Sequence, residues 1–190
     1  MSDGAPTGGG AAPPRPELTA NHFELFGIPA RFDVDESALA PRYRELQSAT
    51  HPDRFANASA AERRWSQQAS GRVNEAWRTL TRPLARATYL LALHGVDTDA
   101  ETDTRMDPAF LMEQMELREA LEAIPGAADP DVAADAVSMR LARMRRDEAE
   151  RFAAAADAGD WGAARDVVRR WQFVDKLGAE LGEIEARLEG

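Results

Sequence analysis

The sequence predicts an all-α protein composed of two small helical domains. From Asn21 onward the chain is rich in alanine, leucine, glutamate and arginine, which favour helices. No segment alternates apolar and polar residues with the period of two that marks a strand, and apolar residues recur instead at helical spacing. A chain of 190 residues is long enough for one or two domains with a sizeable core.

The composition excludes several classes of site and partner. Cysteine is absent, which removes disulfides, thiol nucleophiles and cysteine-ligated metals. Acidic residues outnumber basic ones 33 to 23, giving a net charge of -10. Nucleic acids and anionic membranes attract cationic surfaces, so we expect neither as a partner.

The first segment, residues 1–19, is predicted to be a disordered tail. It consists mainly of glycine, alanine and proline and offers few large apolar groups for a core. It also lacks the basic start and apolar stretch of a signal peptide, and no apolar run approaches the roughly 18 residues of a membrane span. We therefore expect a cytoplasmic protein.

Residues 20–96 are predicted to form the first domain. Two helical segments, 38–50 and 60–80, carry apolar stripes with the same spacing of four, seven and eleven residues. The stripes are Leu39, Tyr43, Leu46 and Thr50, and Ala69, Val73, Ala76 and Leu80. A short polar loop joins them, which indicates an antiparallel helix pair. Ser59 and Glu62 have the spacing of a capping box, and a leucine-rich helix follows between Pro83 and Gly95.

The polar, acidic stretch 97–107 is predicted to be a linker, and residues 108–190 a three-helix domain. Its helices are expected near 108–124, 131–156 and 160–188. The expected core residues are Phe110, Leu117, Leu121 and Ile124; Val137, Leu141, Met144 and Phe152; and Val174, Leu177, Leu181 and Leu188. Asp129 followed by Pro130 is a typical helix start, and Gly159 a typical stop.

The common catalytic and metal-binding templates are missing. No nucleotide-binding glycine loop, nucleophile elbow or zinc-protease motif occurs, and the three histidines lack metal-ligand spacing. The linker resembles the start of a calcium loop, but Thr102 replaces its glycine and Pro108 its closing glutamate. We expect no catalytic residue, metal or cofactor.

One short segment between the first two helices has the residues of a docking site: His51-Pro52-Asp53. The proline ends the preceding helix and makes His51 extended, so the loop presents an imidazole and a carboxylate outward. The neighbouring Arg42, Arg44 and Arg54 form a basic island in an acidic protein, which suits an acidic partner.

This loop has two alternative interpretations. From the tripeptide alone, an ordinary helix-ending loop with solvated arginines is predicted equally well. An enzyme using His51 and Asp53 as an acid–base pair is disfavoured, because a loop at a helix end does not enclose the dry pocket that tunes catalytic groups.

A second candidate surface lies on the helix predicted near 108–124. With about 100° per residue, its core stripe falls within about 40° of Phe110. The opposite side carries Leu111, Met112, Met115, Glu116 and Glu119. Exposed leucine and methionine beside glutamates suit a protein partner. Phe173 either extends this patch or packs in the core. The alternative is that the helix is buried on both sides, or that the first domain covers the patch.

Longer segments carry a family resemblance. Residues 43–46, the HPD tripeptide, 74–80 (NEAWRTL) and 82–89 (RPLARATY) resemble a J-domain of the DnaJ class. Residues 21–39 (NHFELFGIPARFDVDESAL), 89–98 (YLLALHGVDT) and 110–122 (FLMEQMELREALE) are similar to the HscB family, the J-proteins of iron–sulfur cluster assembly. The resemblance covers roughly residues 20–188.

The resemblance implies an L-shaped co-chaperone that is not an enzyme, with an N-terminal J-domain and a C-terminal three-helix bundle. It implies two partners: a chaperone ATPase of the HscA/DnaK class and an iron–sulfur scaffold of the IscU type. The chaperone-binding residues would be His51, Pro52, Asp53, Arg42, Arg44 and Arg54. The scaffold-binding residues would be Leu111, Met112, Met115, Glu116, Glu119 and Phe173. A J-domain co-chaperone with a different client is the alternative.

The sequence departs from the family pattern at three positions in or beside these sites. Thr50 stands where J-domains commonly carry tyrosine, and Arg54 stands where lysine is usual. With Thr50 the helix still ends at this position, and Arg54 still supplies a positive charge. Met115 replaces an expected leucine, which preserves an apolar side chain of similar size.

Overall fold

All regular secondary structure in residues 16–98 and 108–189, which a computed structural model describes, is helical. The α-helices are α1 (His22–Phe26), α2 (Glu36–Thr50), α3 (Ala60–Leu80), α4 (Pro83–Leu93), α5 (Pro108–Ala123), α6 (Pro130–Asp157) and α7 (Trp161–Leu188). Short 3-10 turns follow α2, at Pro52–Phe55, and α5, at Ile124–Gly126. The predicted all-α class is confirmed, and none of these helices is long and apolar enough to cross a membrane.

The chain divides into two compact units. The first contains Met1–Ala30 and Asp35–Thr81, and the second contains Arg31–Val34 and Arg82–Gly190. α4 belongs to the second unit because it packs against α6 and α7. The division into a domain of residues 20–96 and a linker at 97–107 stays a prediction. Residues 1–15, 99–107 and 190 lie outside the described part of the chain, and with them most of the predicted tail and linker.

In the first unit, α2 and α3 pack against each other across the short loop that joins them, as predicted. Their stripes supply buried core residues, among them Leu39, Leu46, Val73 and Leu80, whereas Tyr43 is only half-buried. The five-residue helix α1 packs on α3 and contributes the fully buried Phe23. It was not expected, because five residues are too few to show a helical period.

Local signals set the helix ends much as the sequence indicates. The backbone N–H of Glu62 donates to Ser59 Oγ over 3.3 Å, and the Ser59 N–H donates to Glu62 Oε2 over 3.1 Å, which completes the predicted capping box. Asp129 caps α6 by accepting a 3.1 Å hydrogen bond from the N–H of Val132. After α6 the chain turns at Gly159, whose φ of 70° is the left-handed conformation that glycine adopts without strain.

In the second unit, the buried faces of α5, α6 and α7 form one core. It is built from Leu117, Leu121, Ile124, Ala134, Val137, Leu141, Met144, Val174, Leu177 and Leu181. The predicted stripe on α7 is wrong at its last member: Leu188 is 38% exposed. It is the final residue of α7 and lies two turns beyond Leu181, the last residue that α7 buries in this core.

Candidate functional site

The HPD loop, His51 to Asp53, begins where α2 ends. His51 has φ -58° and ψ 128°, outside the helical region, because proline at the next position disfavours the α conformation. Pro52 then occupies the first position of the 3-10 turn, where a missing N–H costs no hydrogen bond. The extended His51 predicted from the sequence is therefore present.

The two polar side chains of the loop face each other and remain accessible. The backbone N–H of Asp53 donates to Nδ1 of His51 over 3.3 Å, and Oδ2 of Asp53 lies 3.6 Å from the same nitrogen. A ring that accepts at Nδ1 carries its proton on Nε2. The His51 side chain is 50% exposed and that of Asp53 is 91% exposed. The loop thus offers a carboxylate and an imidazole to a partner.

The base of the loop is fixed by groups from both flanking helices. Ser66 Oγ on α3 donates to the backbone oxygen of Thr50 over 2.7 Å, and Thr50 Oγ1 donates back to Leu46 over 2.8 Å. Both hydroxyls are fully buried. Phe55, at the end of the turn, lies edge-on to Trp65 with ring centroids 5.6 Å apart. These contacts hold the two ends of the loop while its tip stays exposed.

Ser66 was not predicted as a support of the loop. Its burial could have been inferred from the sequence, because it lies one turn before Ala69 on the apolar stripe of α3. A hydroxyl at a core position has to find a buried partner. That partner was not identifiable from the sequence, because Thr50 lies 16 residues away on another helix.

The structure divides the predicted basic island into two parts. Arg42 and Arg44 are about 200° apart around α2. Arg42 Nη1 forms a 2.8 Å ion pair with Glu45, which offsets its charge. Arg44 donates to the Ala40 carbonyl over 3.4 Å, and Arg54 reaches the Ser48 carbonyl over 3.1 Å. Because Ser48 lies one turn after Arg44, these two arginines share one side of α2.

On α5 one face is buried and the other is exposed. Phe110, Leu117 and Leu121 are at most 6% exposed. On the other side Leu111 is 44% exposed, and Met112 and Met115 are each 65% exposed. Glu116 and Glu119 are exposed beside them. The alternative of a helix buried on both sides is therefore wrong, and we call these five residues the α5 face.

Two further side chains contact α5. Phe173 on α7 is half-buried against the core of the second unit, and its ring lies edge-on to that of Phe110, on the buried side of α5, at 5.9 Å. Arg140 on α6 donates to Glu116 Oε2 over 3.1 Å and lies 3.7 Å from Glu113 Oε1. Arg140 was missed from the sequence, because it lies 24 residues from Glu116 and only the fold brings them together.

The described residues contain no group of three or more histidine, aspartate or glutamate side chains that could hold a metal ion. Of the acidic residues that resembled a calcium loop, Asp99, Glu101 and Asp103 lie outside the described ranges.

Comparison with known proteins places the chain in a family. Residues 106–182 match the profile of the HSCB C-terminal oligomerisation domain. Over 172 residues, the chain is 48% identical to a "Co-chaperone protein HscB homolog" of Burkholderia mallei (strain SAVP1), covering 90% of this chain and 98% of the relative. A homologue with the same description from Cupriavidus taiwanensis is 48% identical over 176 residues, with 91% and 98% coverage.

Solved structures show the same architecture. The chaperone HscB from Vibrio cholerae superposes with a TM-score of 0.79 at 40% identity, over 89% of this chain and 99% of its own. The human co-chaperone protein HscB superposes with a TM-score of 0.81 at 29% identity, over 90% of this chain and 84% of its own. The J-domain and C-terminal helical domain expected from the sequence agree with these matches. The chain belongs to the HscB co-chaperone family.

Proposed function

We propose that this protein is a cytoplasmic co-chaperone that docks on an HscA/DnaK-class chaperone, stimulates its ATPase and delivers to it an IscU-type iron–sulfur scaffold for cluster transfer. The observation that supports this most strongly is the pairing, in a chain of the HscB family, of an exposed HPD loop with an exposed apolar face on α5. The protein itself would act without a catalytic residue and without a resident metal or cofactor.

The geometry of the loop supports the chaperone contact. Asp53 exposes 91% of its side chain, so a cation of the chaperone can reach the carboxylate without displacing the loop. His51 and Pro52 hold this carboxylate at the end of α2, and Arg44 and Arg54 supply positive charge on one side of the same helix. Complementary charges of this kind orient a partner and speed association.

Exposure and composition support the scaffold contact on α5. Two methionines and a leucine, all more than 40% exposed, form an apolar surface that adapts to the shape of a partner. Glu116 and Glu119 flank it, and we infer that the half-buried Phe173, which contacts Phe110 of the same helix, contributes to the scaffold contact. A small apolar centre with a charged rim is the usual composition of a protein–protein interface.

A J-domain co-chaperone with a different client is the second candidate, because the α5 face shows an apolar surface and not the identity of what covers it. The two candidates share the HPD loop and differ only in the protein bound by α5. Binding of a purified IscU-type scaffold distinguishes them.

The test is a steady-state ATPase assay with purified HscA-class chaperone. We expect stimulation by this protein alone and a further increase when the scaffold is added. Calorimetry with the scaffold alone measures the second contact separately. Stimulation without scaffold binding would favour the different client, and absence of stimulation would contradict the co-chaperone role.

A further inference from the structure

A groove in the second unit shares no residue with the HPD loop or with the α5 face. It has a volume of about 500 Å³ and lies between the start of α4 and the facing sides of α6 and α7. Its floor is apolar and is made by Pro83, Leu84, Ala149 and the ring of Trp171. Three arginines form its rim: Arg82 before α4, and Arg145 and Arg146 on α6. We call it the arginine groove.

The rim carries more positive than negative charge. Among the described residues that line the groove, the one carboxylate is that of Asp175, which forms a 2.6 Å ion pair with Nε of Arg145. Arg82 and Arg146 are exposed, and among the described residues neither has a side-chain hydrogen bond or an ion pair. Two uncompensated cations therefore border an apolar floor in a protein whose net charge is -10.

The backbone at the start of α4 adds to this preference. Arg82 is the N-cap residue of α4 and its side chain makes no capping hydrogen bond. Pro83, the first residue of this 11-residue helix, has no N–H, so the N–H groups of Leu84 and Ala85 carry the partial positive charge of the helix end, which favours a nearby anion. The helix end and the arginine beside it thus attract the same kind of group.

Two residues of α7, Asp175 and Gly178, position the side chain of Arg145. A Cβ atom at Gly178 would collide with the guanidinium of Arg145. Glycine inside a helix lowers its stability relative to alanine, so its presence here needs a reason in packing. Gly178 follows Asp175 by three residues and lies on the same side of α7. Together they seat the guanidinium against α7 and fix one wall of the groove.

We propose that the arginine groove binds an acidic segment of a partner protein, in which aspartates or glutamates flank two large apolar side chains. The carboxylates would pair with Arg82 and Arg146, and the apolar side chains would cover Leu84 and Trp171. An isolated phosphate would leave this floor uncovered, and a nucleic acid would meet repulsion from the rest of the surface. The contact is additional to the two that the proposed function requires.

The test uses the full chain and a fluorescein-labelled peptide of sequence Asp-Glu-Leu-Asp-Phe-Glu-Asp, followed by fluorescence anisotropy. We expect saturable binding that weakens with added salt. Arg82→Glu with Arg146→Glu should weaken binding at least tenfold, and Arg82→Gln with Arg146→Gln should weaken it less. Gly178→Ala should also weaken it, because the new Cβ displaces Arg145. Thermal melts check that each variant is folded.

Matched controls distinguish specific binding in the groove from nonspecific attraction to surface charge. Arg118→Glu with Arg143→Glu makes the same change in net charge at two exposed arginines outside the groove, and should leave binding within about twofold of wild type. A peptide with serine in place of leucine and phenylalanine should bind at least tenfold more weakly, and inorganic phosphate should not compete. The proposal is overturned if the wild type does not bind at millimolar peptide, if both pairs of reversals weaken binding equally, or if the serine peptide binds as well.

Discussion

The hydroxyl of Ser66 on α3 donates a 2.7 Å hydrogen bond to the backbone carbonyl of Thr50, the last residue of α2. Both residues are fully buried. The carbonyl lies at a helix end, where no later residue of α2 supplies an N–H to it. This one contact therefore satisfies a buried acceptor and ties α3 to the start of the HPD loop.

Ser66→Ala should destabilise the protein by about 1–3 kcal/mol, because it leaves the Thr50 carbonyl buried without its donor. Urea unfolding measures the loss. Ser70→Ala, on the same helix at a half-buried position without this contact, is the control and should change stability by less than about 0.5 kcal/mol. Equal effects of the two substitutions would show that the Thr50 hydrogen bond contributes nothing specific.

Replacing Leu111, Met112 and Met115 together by alanine should leave the melting temperature within about 2 °C of wild type, because exposed side chains leave no cavity. Scaffold affinity should fall strongly, since a few apolar anchors carry most of an interface's energy. Calorimetry with the scaffold checks this. Val132→Ala with Met139→Ala, two equally exposed apolar residues of α6, is the matched control. Wild-type affinity in the folded triple variant would refute the assignment of the α5 face.

Glu148→Gln should destabilise the second unit by about 1–3 kcal/mol. Its carboxylate is 5% exposed and accepts from Arg151 over 2.8 Å and from Arg170 over 3.3 Å. The loss is expected below that of a fully buried pair, because both arginines retain access to water. Thermal melts of Glu148→Gln and of the exposed Glu150→Gln provide the comparison. An equal change in both would mean that burial of Glu148 has no energetic consequence.

Stability should fall as pH is lowered from 7.5 to 5.5. Burial holds the pKa of His22 below its usual value of 6.5; Arg72 acts in the same direction and Glu75 opposes it. With a lower pKa in the folded state, the unfolded chain binds more protons, so this contribution is complete above pH 6.5 and is lost as pH falls toward the folded pKa. Urea unfolding at both pH values measures the change.

His22→Gln removes the titrating group and should reduce that pH dependence, whatever it does to stability at pH 7.5. His51 and His94 are retained in both proteins and so cancel in the comparison. An undiminished pH dependence in the variant, or a wild-type protein that becomes more stable at pH 5.5, would contradict the role assigned to His22.

Helical spacing predicted most of the fold, because long amphipathic helices repeat their apolar residues over several turns. The stripes on α3, α5 and α6 are buried where the spacing placed them. The partner of α4 was not predictable in this way, since α4 is apolar around much of its circumference. It even buries Arg86, whose guanidinium lies 5.1 Å from the ring centroid of Phe32 in the same unit.

The candidate sites were predictable where their residues are neighbours in sequence. His51 to Asp53 and the exposed side of α5 each occupy one short segment, and local backbone geometry decides where they point. Contacts between segments that are distant in sequence were not predictable from the sequence. Arg140 reaching Glu116 and Ser66 reaching Thr50 depend on how helices pack, which no local pattern encodes.

The most direct test of the co-chaperone function is the effect of Asp53→Ala on the ATPase of the HscA-class chaperone. The variant should keep its stability, because an exposed loop carboxylate contributes little to folding. Loss of a docking charge opposite a cation can cost about 2 kcal/mol or more, so we expect stimulation to fall about 30-fold or further. Asp147→Ala, an exposed carboxylate on α6, should stimulate like the wild type. Stimulation by Asp53→Ala equal to that of the wild type would contradict the proposed docking through the HPD loop.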